Sequence, residues 1–164
     1  VASSHLGWIY YLSGQNDKAI EQCRKILELD PSSFPARRYL GLAYEAKGMY
    51  PEAIAEFQKG VKLSGSPLML ALLGHAYAVS GRRAEAEQVL SDLQQLQSQR
   101  YVSPYTVAAI YAGLNDQDQA LKWLRRAYDE RDIWLMNMKV DPVFVKLRQN
   151  RKFTDLLASV GLKP

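Results

Sequence analysis

Two histidines, one cysteine and a few closely spaced carboxylates are the residues of this chain that could support metal binding or covalent chemistry. His5 and His75 are far apart, and neither has a Cys or a carboxylate pair at metal-ligand spacing. We therefore interpret both as ordinary helix-surface residues. Cys23 is the single cysteine, which excludes an intramolecular disulfide and a multi-cysteine metal site, and we expect it in the core.

The paired carboxylates also favour a structural role. Glu85 and Glu87, like Asp116 and Asp118, are two residues apart near predicted helix starts, where negative charge interacts favourably with the helix dipole. The chain has neither the glycine-rich phosphate loop that ends in Gly-Lys-Ser/Thr nor a G-x-S-x-G nucleophile elbow. The sequence predicts no enzyme activity, no cofactor and no metal.

Basic residues are concentrated at the C-terminal end. Residues 1–121 have 11 Lys and Arg against 12 Asp and Glu, a net charge of −1, whereas residues 122–164 have 10 against 5, a net of +5. We interpret this end as a solvated, solubilising face. The alternative is a surface for nucleic acid or another acidic ligand, although no stacking motif or helix-turn-helix pattern accompanies the charge. Its basic residues are Lys122, Arg125, Arg126, Arg131, Lys146, Arg148, Arg151 and Lys152.

A repeat of 33 to 34 residues organises the chain. Four tyrosines mark it, each preceded three places earlier by a small residue, and an alanine with a larger residue four places later follows each tyrosine. This period indicates a helical repeat array, whose function resides in a surface. The tyrosines are Tyr10, Tyr44, Tyr77 and Tyr111; the small residues are Gly7, Gly41, Gly74 and Ala108; the alanines are Ala19, Ala53, Ala86 and Ala120; the larger residues are Cys23, Phe57, Leu90 and Leu124.

The best-formed unit, Leu40-Gly41-x-x-Tyr44 with Ala53-x-x-x-Phe57, resembles the tetratricopeptide repeat family. The resemblance covers residues 1 to about 130 and implies an all-α fold, a right-handed α-α superhelix of four helix-turn-helix repeats. We expect a single domain, 1–164, with repeats at about 1–33, 34–66, 67–99 and 101–132 and a capping helix pair in 133–164. The predicted helices are 2–14, 17–29, 34–48, 51–63, 67–80, 83–97, 103–113 and 117–130, followed by two shorter helices after Pro142.

Glycines and repeat ends predict the turns. Gly14, Gly48 and Gly81 are expected to end the first helices as left-handed caps, with Asn115 in the same role in the fourth unit. Departures from the family pattern at Gly65, Ser98 and Asp132 are expected to loosen the turns between units. One residue is missing near 64–66 relative to the other units.

The C-terminal end is apolar but not periodic. Ile133 to Val140 is rich in large apolar residues, and Asp141-Pro142 then favours a new helix start. A solenoid needs such a segment to cover its last unit. The run from Lys139 to Leu162 also resembles the C-terminal end of bacterial multidomain signalling proteins, in which these repeats follow a winged-helix regulator, a kinase, a nucleotide cyclase or a β-propeller.

The resemblance further implies a concave groove lined by the first helix of each unit. Mapping the family pattern onto this chain gives an apolar groove without the Lys, Asn and Arg clamp of chaperone-binding members; Ser4 and Trp8, Tyr39, and Leu68 and Leu72 stand at those places. Such a groove suits a helix, an apolar peptide or a segment of the same polypeptide. Alternatively, these residues cover a neighbouring repeat outside this chain. The predicted groove residues are Trp8, Tyr11, Arg38, Leu42, Glu45, Leu68, His75, Val79, Val102 and Tyr105.

These observations predict a non-catalytic protein-protein interaction scaffold, the regulatory or sensor part of a larger bacterial signalling protein. No apolar run reaches the roughly 18 residues of a membrane span. The chain opens at Val1, where the family pattern already places the first helix of a repeat unit, so we expect further sequence upstream, targeting information included, and a cytoplasmic location. The partner, the upstream domain and the oligomeric state stay open.

Overall fold

The computed structural model describes residues 4–162 and has nine α-helices and two 3₁₀ segments in that range. The eight predicted repeat helices are confirmed with their described ends within two residues, and the predicted start of the first, residues 2 and 3, lies outside the described part. After Pro142 the structure has one 3₁₀ segment and one α-helix instead of two α-helices. The helices are α1 Ser4–Leu12, α2 Asn16–Leu29, α3 Phe34–Ala46, α4 Tyr50–Ser64, α5 Pro67–Val79, α6 Arg83–Leu96, α7 Pro104–Gly113, α8 Gln117–Asp129 and α9 Arg151–Ser159, and the 3₁₀ segments are Ile133–Asn137 and Pro142–Leu147.

The turns within the repeats have the predicted left-handed residues. Gly14, Gly48 and Gly81 have φ of 73°, 72° and 80°, and Asn115 takes the same conformation at 62°. A residue with positive φ ends a helix because it turns the chain away while its amide bonds a carbonyl of the last turn. The turn between α4 and α5 is the shortest between repeats, since only Gly65 and Ser66 separate the two helices.

The periodic small residues let the two helices of a repeat approach closely. A Cβ added at Gly41 would lie 2.4 Å from Cε1 of Phe57, and one at Gly7 would lie 2.6 Å from Sγ of Cys23. The third unit differs from the prediction. A Cβ at Gly74 would meet Val89, which is buried, while Leu90 is only half-buried. The larger residue of this unit is therefore one position earlier than its spacing predicts.

The periodic tyrosines also join neighbouring repeats. Arg24 of α2 donates to the Tyr44 hydroxyl from Nε at 3.0 Å and from Nη2 at 2.7 Å. Gln58 of α4 donates to the Tyr77 hydroxyl at 3.0 Å. Each bond links the second helix of one repeat to the first helix of the next, so the tyrosine both fills the interface and fixes its register.

The buried side chains form two clusters that meet along α7. The first core is built by α1 to α6 with Val107 and Ile110 of α7. The second core joins Tyr105 and Ala108 of α7 to α8, α9 and the residues between them. The junction between repeats three and four is built differently from the earlier ones, because α6 hardly touches α7 whereas α2 packs along α3 and α4 along α5. Only the contact between α5 and α7 joins these repeats closely.

Residues 133–147, which we call the strap, leave α8 and pass in front of α7. Their start is fixed by Asp132, which is buried and accepts hydrogen bonds from the Ser103 hydroxyl at 2.5 Å, the Tyr105 amide at 3.2 Å and the Trp134 amide at 3.0 Å. The expectation that Asp132 loosens this turn is wrong. Its carboxylate satisfies three donors and ties the beginning of α7 to the beginning of the strap.

Candidate functional site

The first helices of the four repeats face a common groove, and the strap crosses it. Leu135, Met138, Phe144 and Leu147 of the strap are buried in the second core. The other side of the strap faces the groove with Trp134, Asn137, Asp141 and Val143. The space between this side and α1, α3, α5 and α7 is called the slot below. It lies where the sequence predicts a peptide-binding surface.

Most of the predicted groove residues come together in the structure. Seven of the ten line the slot, and two more, Glu45 and Val79, line an adjoining pocket next to Val143 and Lys146. Val102 is not part of the slot or of this pocket, because it is buried in the first core. The side chain of Ser4 lies outside the described residues. The predicted residues that line the slot are Trp8, Tyr11, Arg38, Leu42, Leu68, His75 and Tyr105.

Aromatic rings and one guanidinium form the N-terminal part of the slot. The half-buried Trp8 stacks on Tyr11 with ring centroids 5.8 Å apart and lies 5.4 Å from the Tyr39 ring. The Arg38 guanidinium is 5.4 Å from the Trp134 ring. This cation–π contact is the direct link between α3 and the beginning of the strap, and at a partly exposed site it contributes about 0.5–1 kcal/mol.

A polar cluster lies where the slot meets the adjoining pocket, with one residue from each first helix and one from the strap. Nδ1 of His75 is 2.9 Å from Oε1 of Glu45, and both side chains are about nine-tenths buried. The Tyr105 hydroxyl donates to Oδ2 of Asp141 at 2.8 Å. His75 lies on the groove side of α5, where the repeat pattern places it, but the expectation of an ordinary surface histidine is wrong, because its side chain is buried. The polar cluster consists of Tyr11, Glu45, His75, Tyr105 and Asp141.

Burial and neighbouring charge shift the pKa values of this cluster. Burial alone would lower the pKa of His75, but the carboxylates of Glu45 and Asp141 outweigh it and raise that pKa above its ordinary 6.5. Burial raises the pKa of Asp141, opposed by its hydrogen bonds from Val143 and Tyr105. The pKa values of Tyr11 and Tyr105 are raised first by burial and then by Asp141. At neutral pH the cluster therefore favours a charged imidazole beside carboxylates and two un-ionised phenols.

Sequence reasoning missed Asp141 and Trp134 as slot residues. Asp141 carried a signal of its own, because the Asp-Pro pair marks a helix start, and its Oδ1 does accept the Val143 amide at 3.0 Å. The same carboxylate uses its second oxygen for Tyr105, which no local pattern could indicate. Trp134 belonged to the apolar run but had no periodicity to place it on one face.

The basic C-terminal residues alternate with acidic ones on the surface. Arg125 pairs with Asp129 at 3.3 Å and Arg126 with Glu130 at 2.6 Å, one helical turn apart along α8. Lys122 and Lys152 lie near Asp118 and Asp155 around one shallow depression. This interleaving favours the solvated-face interpretation for these four residues, since the local field of each of them is largely offset.

The shape of the described chain is that of an α-solenoid scaffold: stacked helix pairs, a concave surface and a capped end. Sequence models of the family match at residues 7–48 (TPR repeat) and at residues 40–67 and 68–91 (tetratricopeptide repeat). The chain belongs to the tetratricopeptide repeat family. The matches end at residue 91, and the pair α7 and α8 continues the same helix-turn-helix pattern beyond them.

Similar proteins support the same assignment. The TPR repeat-containing protein YpiA of Bacillus subtilis (strain 168) is 29% identical over 129 residues, which are 77% of this chain and 30% of that protein. The chain thus spans under a third of that relative. PilF of Pseudomonas aeruginosa has a similar structure, with a TM-score of 0.62, 22% identity and coverage of 98% of this chain and 76% of that one. A Podosopora anserina protein with nearly identical TPR-like repeats gives a TM-score of 0.54 at 18% identity, covering 96% and 91% of the two chains.

These findings define the general role of the chain. Proteins of this family and fold are generally non-catalytic, and their repeats imply a protein-protein interaction scaffold. Within residues 4–162, no helix combines the length and apolarity that crossing a bilayer requires.

Proposed function

We propose that this chain is a single-domain scaffold that binds a helix or an apolar peptide of a partner protein between its first helices and the strap. The observation that carries this proposal is the composition of the slot, in which apolar and aromatic side chains from four repeats surround a small polar cluster. Binding sites for helices and peptides commonly combine an apolar floor with a few fixed polar groups.

Two polar atoms in the groove support a peptide as the ligand. Oε2 of Glu45 and Nε of Arg38 are buried and have no hydrogen-bond partner within the described chain. One is an acceptor and the other a donor, so the amide or carbonyl of a bound segment could satisfy each. A half-buried aromatic such as Trp8 supplies the anchoring contact that most interfaces of this kind depend on.

The wider setting is also a proposal. The C-terminal resemblance to bacterial multidomain signalling proteins favours a regulatory or sensor module that recognises a domain of its own polypeptide or a cytoplasmic partner. Nucleic-acid or acidic-ligand binding through the basic face is the second candidate, favoured by the net charge of +5 in residues 122–164 but opposed by the ion pairs on α8.

Peptides selected from a phage-displayed library against this chain should be apolar, and they should lose about 5- to 30-fold in affinity in Trp8→Ala, or about 1–2 kcal/mol, as expected for an aromatic anchor. Trp123→Ala is the matched control, because Trp123 lies on α8 outside the slot. Affinities are measured by titration calorimetry in low and high salt. Tyr105→Ala is not a useful probe, since its ring belongs to the second core.

The competing function predicts the opposite pattern. The selected peptides would be rich in Asp and Glu, and their affinities would fall steeply with salt. Binding would be lost when Arg148, Arg151 and Lys152 are changed to Glu, and would not change in Trp8→Ala. These results together would identify the basic face, and not the slot, as the binding surface.

A further inference from the structure

The slot is too small for a helix or peptide segment. It encloses about 70 Å³, and a cavity of roughly 150 Å³ is filled by one benzene molecule. An α-helix with its side chains is about 10 Å across. Binding of a segment therefore requires the strap and the walls formed by α1 and α3 to move apart.

The two sides of the strap are packed to different extents. Its apolar side packs on α7 and α8, with Phe144 fully buried and its ring 5.2 Å from that of Tyr105. Towards α1, α3 and α5 the strap makes the Arg38–Trp134 cation–π pair, and its Asp141 lines the apolar slot together with His75 of α5. The strap is thus a fixed part of the last repeat and only lightly joined to the first three.

The junction between repeats three and four is formed mainly by α5 and α7, because α6 gives α7 almost no support. The first core includes Val107 and Ile110 on one side of α7, and the second core begins on the other side. A small rotation of the fourth repeat with its strap about the contact between α5 and α7 would open the slot, with Val107 and Ile110 at the pivot and the second core moving as one unit. Hinge and shear motions between packed units are an established way in which proteins open and close around ligands.

We propose that the strap is a gate on the binding slot, held shut by the charged imidazole of His75 between Glu45 and Asp141, and that loss of this charge opens it. This inference concerns the regulation of the site in the proposed function and rests on it. With His75 charged, the cluster has one cation between two carboxylates. With His75 neutral, Asp141 faces Glu45 across a buried space with no cation between them, and like charges at this depth repel strongly.

The direction of the pH effect follows from both shifted groups. The pKa of His75 is raised above 6.5, so its contribution to closure is complete below that pH and is lost as the pH rises through the folded-state value. The pKa of Asp141 is raised above 3.8, so closure is also favoured as the pH falls towards that range. Both groups predict a shut slot in mild acid and an open slot at alkaline pH.

Other charged groups around the slot do not reverse this direction. No charged or titratable side chain of α6 or α8 lines the slot or the adjoining pocket. The pKa values of Tyr11 and Tyr105 are raised by burial, so these two phenols do not ionise in the range in which His75 loses its proton. The groups that line these two spaces with His75 are Tyr11 from α1, Arg38 and Glu45 from α3, Tyr50 from α4, Tyr105 from α7, and Asp141 and Lys146 from the strap.

Fluorine NMR of protein labelled with 5-fluorotryptophan tests the gate without any partner. The three resonances are assigned with Trp8→Phe, Trp123→Phe and Trp134→Phe, and the pH is raised from 6 to 9. We expect the Trp8 and Trp134 signals to shift together with one midpoint above 6.5, and the Trp123 signal, outside the slot, to stay in place. If the Trp8 and Trp134 signals do not shift over this pH range, the gate is overturned.

Matched variants identify the responsible group. His5→Gln removes the other histidine and should leave the transition unchanged, whereas His75→Gln should abolish it and hold both signals at their alkaline positions. Asp141→Asn tests the link from the strap and should reduce the Trp134 shift by roughly half or more, because only Glu45 then faces the neutral imidazole. Circular dichroism checks that each variant is folded. A transition that persists in His75→Gln or keeps its full size in Asp141→Asn contradicts the mechanism.

The fluorine NMR experiment and the peptide selection can fail independently of each other. A histidine-dependent opening with no Trp8-dependent ligand would retain the gate and reject the proposed function. Peptides that bind through Trp8 with equal affinity at pH 6 and pH 9, with no movement of Trp134, would retain the function and reject the gate.

Discussion

Gly41→Leu should lower the free energy of unfolding by about 3 kcal/mol, near the upper end of the range for overpacked cores. A Cβ at this position would lie within 2.8 Å of three atoms of the Phe57 ring, and that ring is fully buried. The aromatic ring cannot bend away as a flexible side chain can, so α3 and α4 would have to separate. Urea denaturation followed by circular dichroism measures the change.

Two further variants test the reasoning behind this number. Ala53→Trp places a large ring at the matching close contact of α4, where the native side chain is fully buried, and should be destabilising by a similar amount. Gln94→Ala, on the exposed side of α6, should change the free energy by less than about 0.5 kcal/mol. Equal denaturation midpoints for Gly41→Leu and the wild type would remove the close-packing role from the periodic small residues.

The sequence predicts the solenoid well because each repeat contains several independent signals for the same helix-turn-helix geometry. The Tyr44 unit combines a small residue, a tyrosine, a left-handed glycine at Gly48 and a helix-starting Pro51 in one consistent order, and α3 and α4 follow it. Such agreement between local signals is what lets one register dominate. These signals do not predict the hydrogen bond to the Tyr44 hydroxyl, because its donor, Arg24, belongs to the preceding repeat. The equivalent position of the next repeat has a different donor, Gln58.

The strap could not be placed from sequence because it has no period. Ile133 to Val140 contains enough apolar residues for a cap, but a cap requires only that one side be buried and leaves the direction of the chain free. The direction is set by long-range contacts, such as Asp132 with Ser103 and Asp141 with Tyr105. The burial of His75 could not be predicted for the same reason. Its helix and its place on the groove side follow from the repeat pattern, but its burial depends in part on a segment more than fifty residues later.

The predicted groove residues that line the slot differ in the contacts that their side chains already make. Trp8, Leu42 and Leu68 line the slot as the repeat pattern implies. Tyr105 does so too, yet its ring and hydroxyl are already bound by Phe144 and Asp141. A repeat pattern can identify which side chains face the groove, because that depends on helix register. It cannot show whether a later part of the chain packs against some of those side chains and so makes them unavailable to a ligand.

Phe144→Ala should have the largest effect of any single truncation in the strap, lowering the free energy of unfolding by about 3–5 kcal/mol. The ring is fully buried, meets Tyr105 edge-on with an interplanar angle of 76° and lies 6.2 Å from the Phe153 ring. Its removal leaves a cavity where α7, α9 and the strap meet. Val145→Ala is the matched control, because the neighbouring Val145 is 54% exposed and should cost less than about 0.5 kcal/mol.

Hydrogen exchange then locates the loss. Because the second core is separate from the first along α7, amides of α8 and α9 in Phe144→Ala should lose protection before those of α3 and α4. Uniform loss along the chain would mean that the two cores unfold as one unit, and the rotation of the fourth repeat that the gate requires would then be too costly to occur in the folded protein. Selective loss would place the cooperative boundary at α7, where the gate needs its hinge.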